Sequence, residues 1–127
     1  MKEFTKASWS SIEPGVEFQN NWHIDAISEH LQAVVDGDIK RLIINVPPRH
    51  MKSISVAVVL PAWTWTRQPE KKFLYASYAS SLSIRDSVKC RRLLDSRWYK
   101  SHFGDSFQLT SDQNQKQRFE NDKTGAR

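Results

Sequence analysis

At 127 residues the chain is the size of one ordinary domain, long enough to bury a core and too short for two domains of average size. Hydrophobic residues make up 39% and charged residues 26%, a globular composition that excludes a wholly disordered tail. The net charge of +5 draws the chain toward polyanions such as nucleic acid or anionic lipid without fixing any fold, and a soluble basic surface is the plainer meaning.

Cys90 is the only cysteine, which excludes an internal disulfide and a thiol redox pair and makes a reducing compartment the default. No apolar run reaches the ~18 residues that span a bilayer. The opening "MKEFTKASWSSIEPGVEF" is polar and broken by Pro14 and Gly15, so no segment is expected to direct export or insertion.

Residues 1 to about 20 carry no clear periodicity and are expected to form an arm or irregular lead-in. A helix follows, because Ile24, Ile27, Leu31, Val34 and Val35 recur at helical spacing, Asn20 or Asn21 can cap its start, and Gly37 suits a left-handed end. After the "DGD" turn, Lys40 to Val46 ("KRLIINV") is dense in apolar and β-branched residues without alternation, which predicts a strand covered on both faces. The stretch beyond Ser53 is a buried helix that Pro61 should end or kink. A second strand is predicted over Lys71 to Tyr78, then a helix over "SSLSIRDSVKCRRLLDSRWY" with serine caps. The polar tail offers one strand near Gln117 to Asn121 and a Thr-Gly turn. Strand, helix, strand, helix in that order predicts an α/β fold with a parallel sheet and right-handed crossovers.

The corner between the first strand and its helix, "VPPRHMKS", places a lysine and a hydroxyl where a phosphate loop has them. Such a loop presents consecutive backbone N–H groups at a helix N-terminus, a lysine for the β and γ oxygens, and a hydroxyl that ligates Mg²⁺. The usual glycines, six residues before the lysine and directly before it, are replaced by Val46 and Met51. A non-glycine residue in a left-handed conformation costs ~1–2 kcal/mol, which a functional turn can carry. Pro47 and Pro48 have no N–H, so the donors must come from Arg49, His50, Met51, Lys52 and Ser53, with Arg49 adding a bidentate charge. The plainer alternative is a basic loop capping a helix.

These residues carry a resemblance. "LIINVPPRHMKS", preceded by "NWHIDAISEHLQAVVDGDIKR" and followed by "PAW" and "FLYASYASSLSIRDSVKCRRLLDSRWY", is similar to the N-terminal part of the ATPase domain in the large terminase subunit of tailed bacteriophages and prophages. That family has a deviant Walker A of the "PPRHxKS" type, often with glycine where Met51 stands, and the resemblance runs from Asn21 to Arg127. It implies a P-loop NTPase-type parallel sheet and an ATP-driven motor, with an attached endonuclease, that packages double-stranded DNA into procapsids. It implies Lys52 as the phosphate-binding lysine, Ser53 as the Mg²⁺ ligand, and ATP and Mg²⁺ as cofactors. Double-stranded DNA, the portal protein, the small terminase subunit and a homo-oligomeric ring are the implied partners, and the bacterial host cytoplasm the implied location.

Hydrolysis by such a motor needs two acids at the end of another buried strand. None is present in that form: Asp105, Asp112, Glu120 and Asp122 sit in polar surroundings and are expected to be solvated. In the family the Walker B strand comes soon after, so the chain is expected to be a truncated product or fragment, with Walker B and the nuclease absent, that binds nucleotide weakly and does not turn it over. At ~100° per residue, Arg85, Lys89 and Arg92 share one stripe of the third predicted helix. That stripe could track DNA phosphates, or supply a trans arginine through Arg85, or be only a solvated face. Trp22 and His23 stand where the resemblance puts the adenine edge, while Trp63 and Trp65 should fill the core or an interface. His23, His30, His50 and His102 show no metal spacing. Another P-loop NTPase such as a helicase-like remodeller, and a non-enzymatic basic DNA-binding or interaction module, remain as alternatives.

Overall fold

Residues 52–65 form a continuous helical rod at the centre of the protein: α3 (Lys52–Ile54), a π-helical turn (Ser55–Val59) and α4 (Leu60–Trp65). The computed structural model describes residues 1–127, apart from the side chains of 112–114. Beyond Ser53 the rod is largely apolar all round, and a helix of that kind must be covered on every side. Val58, Val59, Ala62 and Trp65 are fully buried. Pro61 neither ends nor breaks the rod, and its effect is the wide π turn just before it. Proline has no N–H for the carbonyl four or five residues back. Those two carbonyls find donors elsewhere: Tyr75 Oη donates to Val56 O at 2.9 Å, and Arg127 Nη2 donates to Ala57 O at 2.6 Å.

Four helices surround the rod. The expected irregular lead-in is instead α1 (Lys2–Ile12), which buries Phe4, Thr5, Ser8, Trp9 and Ile12. Those positions lie on one helical face. Thr5 and Ser8 hide its apolar character in the sequence. Helix α2 (Trp22–Asp36) has the predicted ends: Asn21 Oδ1 accepts from the Trp22 amide at 2.8 Å, and Gly37 takes φ 91°. The single helix expected after residue 80 is two, α5 (Ser80–Asp95) and α6 (Arg97–Phe103). Ser96 divides them with extended backbone, its side chain accepting from the Tyr99 amide at 3.2 Å.

The protein is mixed α/β, and the only ladder among the described residues is the antiparallel pair β1 (Leu109–Asn114) and β2 (Phe119–Asn121). The second matches the strand expected near Gln117 to Asn121. The hairpin closes one end of the core, where Trp65 meets Phe107 and Phe119 edge-on at ring distances of 5.3 and 5.9 Å. Asn121 Oδ1 accepts from the Gly125 amide at 2.9 Å, and Thr124 takes φ 68° in the predicted Thr-Gly turn. The runs predicted as strands, 40–46 (expected to be covered on both faces) and 71–78, join no ladder among the described residues; Lys72 and Phe73 contact Ala126. Each packs one face only. Leu42, Ile44, Val46, Phe73 and Tyr75 turn toward the core, while Ile43 is 85% and Leu74 98% exposed. Among the described residues no helix is long and apolar enough to cross a membrane.

Candidate functional site

The corner at residues 47–53 takes the backbone shape that its lack of glycine made doubtful. Arg49 and Met51 both adopt left-handed conformations, with φ 66° and 62°. Met51 occupies the position before the lysine, where a phosphate loop has glycine, and its carbonyl accepts from the Ser55 amide at 2.8 Å. The amides of Arg49, His50, Met51, Lys52 and Ser53 donate to no carbonyl among the described residues. They stand ahead of the rod at its positive end. His50 Nδ1 lies 2.8 Å from Pro48 O, which holds the loop's bend.

This corner forms one wall of a cleft of about 680 Å³. Val46 to Ile54 supply that wall, Arg85, Asp86 and Lys89 of α5 a second, and Trp9, Glu13 and Val16 a third. Lys52 and Ser53 are exposed at its mouth, and neither Lys52 nor Arg49 has an ion-pair partner among the described residues. The other two cations are held by carboxylates. Arg85 binds Asp86 at 2.8 Å, and Lys89 binds Glu13. Four cations face two carboxylates, so the lining carries an excess of two positive charges.

The predicted stripe on α5 divides. Arg85 and Lys89 join the corner, whereas Arg92 opens onto a different cleft of about 900 Å³ beside Tyr99 and Phe107. Trp22 does not line the corner cleft, but it stands two rings away: it meets His23 at 6.1 Å, and His23 meets His50 edge-on at 5.4 Å. Trp22 is 78% exposed, a free indole face beside the cleft. Trp63 and Trp65 are both buried, so they belong to the core.

Two cleft carboxylates, Glu13 and Asp86, escaped the sequence reading, Glu13 because its helix was missed and Asp86 because it adjoins an arginine on a charged helix. Of the acids that were weighed, Asp105 is exposed, Glu120 pairs with Arg118, and Asp122 accepts from the Gln108 amide at 3.0 Å. The Asp112 side chain lies outside the described residues. No three His, Cys, Asp or Glu residues gather into a metal-ligating group among the described residues.

Comparison of the chain with known protein families, with curated proteins and with solved structures finds no match.

Proposed function

We propose that the corner cleft holds the phosphates of Mg²⁺-bound ATP, and that the chain is the N-terminal part of the ATPase domain of a terminase large subunit. The observation that carries this reading is the paired left-handed turn at Arg49 and Met51, with the amides of residues 49–53 lacking backbone acceptors among the described residues. An anion at that point would accept several N–H bonds at once, strengthened by the end of a helix. In this reading Lys52 takes the β and γ oxygens, Arg49 clamps a phosphate and Ser53 supplies the hydroxyl ligand for Mg²⁺. Trp22 offers a surface on which adenine can stack.

The sequence resemblance extends the proposal to a motor that packages double-stranded DNA, with the portal and small terminase subunit as partners and an attached nuclease. Residues 40–46 and 71–78 are then strands of a P-loop parallel sheet. Their support is the bare outer face at Ile43 and Leu74, on segments whose apolar runs call for cover on both sides. Catalysis by these residues alone is not part of the proposal. The two cleft carboxylates are engaged by Lys89 and Arg85, so neither is free to activate water.

The test is the melting temperature with and without ATP and Mg²⁺, in the wild type and in Lys52→Ala. Binding raises it by mass action, and the variant should lose the rise. A wild type unmoved by ATP and Mg²⁺ overturns the proposal in favour of a basic DNA-binding module. An equal rise in Lys52→Ala removes the corner as the site. Steady hydrolysis that depends on Lys52 would contradict the expectation of binding without turnover.

A further inference from the structure

We infer that a second anion site, built for a phosphate group, lies on the other side of α5, in a cleft of about 380 Å³ between the 73–77 segment, the start of α5 and Arg127. Its chemistry is one-sided. Four serines (Ser77, Ser80, Ser83 and Ser87) and one guanidinium line it, and no aspartate or glutamate side chain does.

Arg127 is 8% exposed and has no ion-pair partner among the described residues. Its Nη2 serves Ala57 O and its guanidinium lies 4.5 Å from the Tyr75 ring, while Nε is buried with no acceptor. Ser87 is 2% exposed, and its Oγ is likewise buried without a partner. A buried cation with an idle donor is costly unless an anion reaches it.

The remaining donors fix the class of that anion. Ser77 and Ser83 are engaged with each other at 2.8 Å, and Ser77 also donates to Ala79 O at 2.6 Å, so these two shape the cleft. Ser80 Oγ, Ser87 Oγ and Arg127 Nε remain, with the first amides of α5, which has no side-chain cap. Donors from so many directions suit a tetrahedral oxyanion with three or four acceptor oxygens better than a planar carboxylate with two. The site stands apart from the corner cleft and does not depend on the reading given to it.

The test is a ¹H–¹⁵N titration of the full chain with inorganic phosphate, against chloride at equal ionic strength. The Arg127 Nε–H resonance and the amides of Ser80 and Ser87 should shift saturably. Lys52→Ala should leave those shifts intact, and Ser87→Ala should weaken them several-fold. Arg127 also supports the central rod, so the wild-type Nε–H signal, not an Arg127 variant, is the decisive readout. A short DNA duplex bearing a 5′-terminal phosphate in place of inorganic phosphate identifies the source: the same saturable shifts assign the site to phosphomonoester ends, and shifts with inorganic phosphate alone assign it to free phosphate. No saturable shift at Arg127 with either probe overturns the inference, as does a response that Ser87→Ala leaves unchanged.

Discussion

The hydroxyl of Tyr75 donates to the carbonyl of Val56, an acceptor that Pro61 cannot serve from within its own helix. The bond ties an extended segment to the middle of the central rod and stabilises a turn that proline would otherwise leave open. Removing it leaves a carbonyl in the interior without a donor, which costs ~1–3 kcal/mol. Tyr75→Phe should therefore lower the urea midpoint with little change in slope.

Met51 holds a conformation that costs a non-glycine residue ~1–2 kcal/mol, while glycine gives back ~0.5–1 kcal/mol through its freer unfolded state. Met51→Gly should then stabilise the protein by roughly 0.5–1 kcal/mol, and Met51→Val, branched at Cβ, should destabilise it. Chemical denaturation of both variants checks the sign.

Glu13 neutralises Lys89 at the edge of the corner cleft. The pair is about one-third exposed on each side, so its loss should change stability by less than ~1 kcal/mol. Its effect on an anion should be larger than that on the fold. Glu13→Gln releases a positive charge into the cleft and should tighten the proposed binding of ATP about threefold, or ~0.7 kcal/mol. Calorimetric titration at two salt concentrations should show the gain shrinking as salt rises.

Burial pushes the Cys90 thiol up to about 12, with nearby Arg127 opposing the shift. The folded protein keeps this proton where the unfolded chain has lost it. The associated stability is complete below the unfolded thiol's value of ~8.5 and falls as pH rises from there toward 12. Burial raises Tyr75 and Tyr99 in the same direction, steepening the alkaline loss. At pH 8, alkylation of Cys90 should be negligible in the native state and should follow the unfolded fraction as urea is added.

Local signals were legible where a single residue decides them. Asn21 and Gly37 mark the ends of α2, and the rod's apolar run announces its burial. Helix α1 was not legible, because two of its five buried residues are the polar Thr5 and Ser8. The corner was legible as the opening of a helix, which starts at Lys52. Its completion by Arg85 and Lys89 depends on how α5 lies across the corner, which helical spacing cannot supply. Arg92 shares their angular stripe, yet it sits ~10 Å beyond Arg85 and ~4.5 Å beyond Lys89 along the axis, and it lines a different cleft. The partners of the predicted strands were not legible for a related reason: apolar runs state a need for neighbours and do not say where they come from.

Residues 41–47 and 74–78 make no backbone–backbone hydrogen bond among the described residues and lie next to outward apolar side chains such as Ile43, Leu74 and Tyr78. Ribbons of this kind recruit further chains edge to edge. In concentrated solution they are where aggregation will begin. A lysine at position 43 would act as a gatekeeper there, on a residue that lines neither proposed cleft.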